Sequence, residues 1–408
     1  RAALDAAEPL IGDSFTEKPL VEAAIRNTLG TNYWLLGEAE LAIRQHERAR
    51  SLRESKLGPE HPDTLTSMNQ LALGYQDVSR LDRALPLYQQ TLELRKAKLG
   101  PDHPDTLESM LNLAQAYARM GNLNQALPLH EQTVELMRAK LGPEHPHTLT
   151  SMNNLAVAYH SAGRLAEALQ LHEQTLELRK AKLGPKHPDT STSMGNLARA
   201  YQSAGKLDRA LPLFKQTLEL MKANLGTDHP RTLTSMGMLS KAYLAGEQPE
   251  KALPLFDQFI TGSRGRAMPD DPTFANLLAA VSSDLLQYRQ YPAAETYLRE
   301  CLTIREKKLP DDWVLFHTKS LLGGALAGQK KFQEAEPLLV EGYSGMKARE
   351  AKIPPTAKTR LPEAIQRLVD LYVAWEKPEQ AAEWQKQLDQ AQATLKDTEA
   401  KPSKQPPK

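Results

Sequence analysis

Leu57-Gly58-Pro59-Glu60-His61-Pro62-Asp63-Thr64-Leu65 returns four times along this chain, beginning at Leu99, Leu141, Leu183 and Leu225, each copy forty-two residues after the last. Drift is concentrated in the final positions, as in Asp189-Thr190-Ser191 of the fourth copy and Arg231-Thr232-Leu233 of the fifth. A fixed period of this length marks stacked supersecondary units, each too small to bury its apolar face alone. It predicts one elongated array rather than two or three globular domains. Such arrays work through an extended surface and seldom carry chemistry.

Between two copies lies one unit. Met68, Leu71, Ala72 and Tyr75 fall at i, i+3, i+4 and i+7, the stripe of an amphipathic helix. Asp63 or Thr64 stands where its N-cap belongs, after Pro62. A polar break at residues 77–80 precedes a second helix, with Ala84, Tyr88, Leu92 and Lys96 along one strip. Pro86 recurs as Pro128, Pro212 and Pro254. Because a mid-helix proline costs about 3 kcal/mol, this helix is expected to begin only at residue 82 or 83. Leu99-Gly100-Pro101 then stops it, glycine taking a left-handed cap and proline forbidding continuation.

These residues resemble the tetratricopeptide repeat in its forty-two-residue, kinesin-light-chain-like form. The set Met68, Leu71, Ala72, Tyr75, Ala84 and Tyr88 reappears as Met110, Leu113, Ala114, Tyr117 and Ala126, then as Met152, Leu155, Ala156, Tyr159 and Ala168. The resemblance implies an all-α, right-handed superhelical solenoid of antiparallel helix hairpins. Residues 20–34 and 38–56 supply a first unit, with Leu29, Gly30 and Tyr33 in register. Downstream, Ala293-Ala294-Glu295, Phe332-Gln333-Glu334-Ala335 and Pro378-Glu379-Gln380-Ala381 mark decayed units, about nine hairpins in all. The expected organisation is a leading segment or linker at 1–13, the solenoid at 14–396 with its best-defined repeats at 57–266, and a Lys/Pro tail at 397–408. That tail lacks the apolar residues to pay for ordering and is expected to be disordered.

Composition removes several classes of function. A net charge of +1 with 6% aromatic residues gives no electrostatic case for nucleic acid or an anionic membrane. No apolar run approaches the roughly 18 residues of a membrane span. Cys301 is the only cysteine, so an intrachain disulfide is impossible and a reducing, cytoplasmic setting is expected. The chain opens on Arg1 and is expected to be a piece of a longer protein. Residues 11–26, Ile-Gly-Asp-Ser-Phe-Thr-Glu-Lys-Pro-Leu-Val-Glu-Ala-Ala-Ile-Arg, look like the start of repeat arrays joined to bacterial serine/threonine protein kinases. That resemblance implies a C-terminal regulatory or docking region. The chain has no Gly-rich nucleotide loop, His-Arg-Asp or Asp-Phe-Gly, so it is expected not to be an enzyme itself.

His61, His103, His145, His187 and His229 sit one per corner, whereas a metal needs ligands converging on one point, within about 2 Å. They are expected to bond nearby backbone, with no metal or cofactor. Asp270/Asp271 and Asp311/Asp312 suit N-cap regions, and Cys301 suits a buried thiol. The first-helix face is more informative, because in tetratricopeptide arrays the first helices line a concave groove. One lining position carries Gln70, Asn112, Asn154, Asn196 and Met238, and the position before it Asn69, Leu111, Asn153, Gly195 and Gly237. A carboxamide both donates and accepts, so a ladder of them could hold a peptide backbone whatever its side chains. The other reading is that these amides solvate an exposed face or cap loops. Gln115, Arg199, Lys241, His160 and Gln202 continue the face, making it polar and mildly basic.

The sequence therefore predicts a non-catalytic interaction scaffold. Its partner is an extended protein or peptide segment, acidic or neutral. Self-association, or contact with a domain outside this chain, is the further possibility.

Overall fold

The computed structural model describes residues 2–36, 38–268 and 270–400. It is all-α, nineteen helices following one another in hairpin order. They form two compact units, residues 1–206 and 207–408. The first holds α1 (Ala2–Ser14), α2 (Pro19–Leu35), α3 (Ala39–Leu57), α4 (Pro62–Asp77), α5 (Leu81–Leu99), α6 (Pro104–Arg119), α7 (Leu123–Leu141), α8 (Pro146–Ser161), α9 (Leu165–Leu183) and α10 (Pro188–Ser203). The second holds α11 (Leu207–Leu225), α12 (Pro230–Ala245), α13 (Pro249–Arg264), α14 (Pro272–Gln287), α15 (Tyr291–Lys308), α16 (Trp313–Gly328), α17 (Phe332–Ala348), α18 (Arg360–Ala374) and α19 (Pro378–Ala400). Even-numbered helices from α2 onward are the first helices of the pairs, and the count of about nine units stands.

The repeated phrase is a corner, and each of its residues has a mechanical task. Gly58, Gly100, Gly142, Gly184 and Gly226 end the second helices at φ between 85° and 92°, a conformation that a Cβ opposes. The histidine is the N-cap of the next helix, extended, its Nδ1 accepting the backbone N–H two residues on at 3.1–3.2 Å. The proline after it is the first helical residue, where its missing N–H is an orphan anyway. Thr64, Thr190 and Thr232 donate to the carbonyls of Gly58, Gly184 and Gly226 at 2.8–2.9 Å, closing the turn. The cap expected at Asp63 or Thr64 is therefore His61, and a proline at the first helical position is the signal that locates it. Asp271 and Asp312 cap α14 and α16 in the same way, as their sequence suggested.

The second helices start at Leu81 and its equivalents, one or two residues before the expected place, so Pro86 lies in the second turn of α5. It is tolerated because the carbonyl it leaves unpaired belongs to exposed Asp82. Ala72 and Ala84 are wholly buried, which lets α4 and α5 approach closely, and Met68, Leu71, Tyr75, Tyr88 and Leu92 fill the interior. Lys96 is half-buried, and the buried strip runs instead through Thr91 and Arg95. The Arg95 guanidinium bonds the Asp105 carbonyl at 2.7 Å and Ser109 Oγ at 2.9 Å, tying one repeat to the next. Arg53 and Arg179 repeat the arrangement, while Met137 and Met221 replace the arginine with apolar bulk.

At the ends, two expectations change. Ala2–Ser14 is a helix rather than a linker: Ile11 packs with Leu29, Tyr33 and Ala42 where a preceding second helix would sit. Ile11 gives it an apolar contact to bury, which an unstructured linker would lack. At the other terminus α19 continues through Ala400, so the first four residues of the expected tail are helical. Residues 401–408 of that tail lie outside the described residues.

Candidate functional site

The first helices of the first unit meet through polar side chains forty-three residues apart, one more than the repeat. Asn112 Nδ2 donates to Asn69 Oδ1 at 3.1 Å, and Asn196 Nδ2 to Asn153 Oδ1 at 2.9 Å. His160 Nε2 pairs with Ser203 Oγ at 2.8 Å, and Trp34 Nε1 donates to Asp77. Within the second unit the same spacing joins Lys241 Nζ to Asp284 Oδ1 at 2.5 Å. A second set of contacts links first-helix tyrosines to the preceding second helix: Tyr75 donates to Glu47, Tyr159 to Glu131 and Tyr201 to Glu173, while Tyr117 accepts from Gln89.

This lattice sorts the candidate residues. Asn69, Asn112 and Asn153 are buried, at 1%, 9% and 8% exposure; Asn69 accepts from Asn112, and Asn153 accepts from Asn196 and donates to Asn154. Asn69 and Asn153 therefore do not line an open face; the position before the lining one packs against the neighbouring first helix. Asn196 donates to Asn153 and accepts from Arg199 Nη2 at 2.8 Å, so it too is engaged. Asn154 differs. The residue forty-three before it is the buried, apolar Leu111, and its closest polar neighbour is Asn153 Nδ2 at 3.5 Å. Gln70 likewise lacks a ladder partner, because Asn27 bonds His46 Nδ1 at 3.0 Å instead. Gln70, Gln115, Asn154, His160, Arg199 and Gln202 are all half-buried on this face.

One expectation changes here. Lys241 is held by Asp284, so its charge is already balanced and does not stand free to choose acidic side chains. At Gly237, in the position before the lining one, a Cβ would lie 3.0 Å from the Phe259 ring. The lysine's pairing was not legible at one-repeat resolution, although Lys241 and Asp284 share the forty-three-residue spacing of the asparagine pairs.

Arg199 is the other unspent group. It is half-buried, Asn196 is its acceptor, its Nε is buried without one, and no carboxylate pairs with it among the described residues. Burial lowers its pKa, and its charge adds to the lowering that burial imposes on His160 and His172. His46, His130 and His172 occupy the place of Tyr88 in their repeats, and burial pushes each to about 4. Sequence reading passed over these three, although the forty-two-residue register with Tyr88 would have found them.

The cavities of the first unit lie away from the ladder, such as one of about 540 Å³ beside Tyr159 lined by Val134, Glu135 and Arg138. In the second unit α14, α16 and α18 line about 610 Å³, where Arg360 and Arg367 pair with Glu363, Asp284 pairs with Lys241, and Asp370 accepts from Gln366. Cys301 is buried, its Sγ donating to the Ala275 carbonyl. Among the described residues no three His, Cys, Asp or Glu side chains cluster as metal ligands would, and no helix is long and apolar enough to cross a membrane.

Comparison with known proteins follows the same lines. Residues 21–97, 68–139, 105–181, 162–223 and 204–263 match a family model described as tetratricopeptide repeat, and 275–312 match a second of the same description. No curated protein matches significantly in sequence. Among solved structures, the nearly identical TPR-like repeats of a kinesin light chain from Podosopora anserina are 33% identical, over 52% of this chain and 100% of that one, with a TM-score of 0.44. The apo quorum sensor NprR from B. thuringiensis is 15% identical over 80% of this chain and 88% of its own, at a TM-score of 0.55. Apo RapI is 14% identical over 70% of this chain and 98% of its own, at 0.54, so these two share the fold.

Proposed function

Since this chain belongs to the tetratricopeptide repeat family, we propose that it is a non-catalytic, cytoplasmic scaffold holding an extended, acidic or neutral peptide segment against its first helices. The observation that carries the reading is the break in the asparagine lattice at Asn154: the residue forty-three before it is the apolar Leu111, its Oδ1 accepts from Asn153 at 3.5 Å, and its Nδ2 has no acceptor among the described residues. A buried or half-buried amide that its own fold does not satisfy is free to pair with a peptide backbone. Gln70 and Gln115 extend that capacity along α4 and α6. Arg199 supplies the preference for negative charge, and Lys241 does not.

The test is selection from a displayed library of random peptides on the full chain, followed by affinity measurement on the Asn154→Ala variant. Selected sequences are expected to be enriched in Asp and Glu. Asn154→Ala is expected to weaken them roughly 2- to 10-fold, the worth of one net hydrogen bond. Unchanged affinity would remove the backbone-holding role. The alternative, that the array is the regulatory arm of a bacterial serine/threonine kinase, rests on the sequence of residues 11–26. The coding sequence upstream of Arg1 tests it.

A further inference from the structure

We propose that Arg199, His160 and Ser203 form a subsite for a single anionic group, carboxylate or phosphate, carried by the bound segment. The inference rests on the peptide-holding reading of this face and names the chemistry recognised at one place on it. Three observations carry it. First, Arg199 is a half-buried cation whose only hydrogen-bond acceptor among the described residues is the neutral Asn196 amide, at 2.8 Å, and whose buried Nε has none among them. Charged groups withdrawn from water are ordinarily paired. Arg95 and Arg179 of the same unit each place at least two acceptors on the guanidinium, a backbone carbonyl and a serine hydroxyl, and Arg95 also approaches Glu108 at 3.5 Å, whereas Arg199 has the one amide; the Arg179 Nε is orphaned as that of Arg199 is.

Second, a hydroxyl stands on the same helix face as the guanidinium. Ser203 lies one helical turn beyond Arg199 on α10, is exposed, and is tied to His160 of α8 by the 2.8 Å bond to Nε2. When Nε2 carries a proton it donates to Ser203 Oγ and frees the hydroxyl proton, so guanidinium and hydroxyl are the donors offered to an oxyanion, with the imidazolium charge behind them. Third, the local field is positive and uncompensated. Arg199 holds the pKa of both His160 and His172 of α9 below the value that burial alone would give, and no carboxylate raises either. The groups that act on His160 are thus Ser203 and Arg199 from α10, while it acts in turn on His172 from α9. An anion on Arg199 would reverse that field, so His160 would take up a proton as the ligand binds.

The experiment is histidine Cε1–H NMR on the full chain, with the His160 signal assigned by His160→Gln. Inorganic phosphate, then glutarate, is added at constant ionic strength against sodium chloride. The expected result is a saturable shift of the His160 signal, with an affinity on the order of millimolar, and a titration midpoint that rises when the anion is present. Arg199→Gln should abolish the response, and Ser203→Ala, at an exposed position, should weaken it several-fold. A shift that never saturates, or one unchanged in both variants, overturns the subsite. Saturation by phosphate and glutarate assigns a site that accepts carboxylates; saturation by phosphate only assigns a phosphorylated residue. Because the probes are small ions, the subsite fails here while the groove fails in peptide selection, and the two failures are distinct.

Discussion

Asn112 donates its side-chain amide to Oδ1 of Asn69 across 3.1 Å, and the two residues stand forty-three apart in a chain whose repeat is forty-two. The extra residue means that neighbouring first helices meet one step out of register. An amide in the lining position of one repeat therefore lands on the position before it in the previous repeat. Where both are asparagine, they satisfy each other; where the lower one is Leu111, the upper one, Asn154, stays available.

Asn112→Ala should accordingly act on stability. It strands the buried Asn69 amide, and the cost is expected at about 1–3 kcal/mol. Asn154→Ala should stay within about 0.5 kcal/mol of the parent while losing peptide affinity. Urea unfolding midpoints of the two variants check this, and equal destabilisation would sink the distinction.

The corner histidines should behave as caps. His103→Ala removes the acceptor for the Asp105 N–H and is expected to cost about 1 kcal/mol. His103→Asp should be close to neutral, because Asp271 and Asp312 do the same work in α14 and α16. Thermal melts of both variants would show it; a harmless alanine would mean that the histidine has another task.

Arg95 offers a test of charge against packing. Met137 and Met221 stand buried in its place two other times, so Arg95→Met is expected within about 1 kcal/mol of the parent. Both variants leave Ser109 without Arg95, as Ser151 and Ser235 are without a partner beside Met137 and Met221; Arg95→Ala adds a cavity and should cost about 2–4 kcal/mol. Similar losses in the two variants would place the stabilisation in the guanidinium's hydrogen bonds instead.

Acid should weaken the first unit through its buried histidines. His130 and His172 have folded-state pKa values of about 4, below the ordinary 6.5. The unfolded chain then binds the extra protons, so their stabilisation is complete above 6.5 and is lost as pH falls toward 4. Linkage puts the loss at up to about 3 kcal/mol for each. Phe214 and Phe256 fill the equivalent place elsewhere, so the double variant His130→Phe, His172→Phe should flatten this limb. Unfolding midpoints at pH 7.5 and pH 5 measure it, and an unchanged slope would exclude these histidines as the cause.

Lys241 and Arg199 should part company in binding. Lys241→Ala breaks only a partly exposed pair with Asp284, worth at most about 1 kcal/mol, and should leave acidic peptides bound as before. Arg199→Gln should lower their affinity and leave neutral peptides unaffected. Fluorescence anisotropy with matched acidic and neutral peptides reads both. A Lys241 effect as large as that of Arg199 would contradict the pairing.

Much of this was legible without coordinates because it is local and repeated. The helix stripe of Met68, Leu71, Ala72 and Tyr75, the close approach at Ala72 and Ala84 and the glycine stop each depend on neighbours within a turn or two. The N-cap was misplaced onto Asp63 or Thr64 by weighing residue type over the proline beside His61. The side-chain economy of the first-helix face was not legible, since partners forty-three residues apart are set by how helices cross.

The sequence by itself determined that this chain is an array of helix hairpins, because a forty-two-residue period of apolar stripes and glycine-proline corners has no other way to bury its surface. Only the tertiary structure decided which polar groups on that array are already spent. Hydrogen-bonding capacity belongs to a residue, but whether it is free depends on what the neighbouring helix places within 3 Å, and here, among the described residues, that leaves Asn154 Nδ2 without an acceptor and Arg199 without a carboxylate while Lys241 is taken.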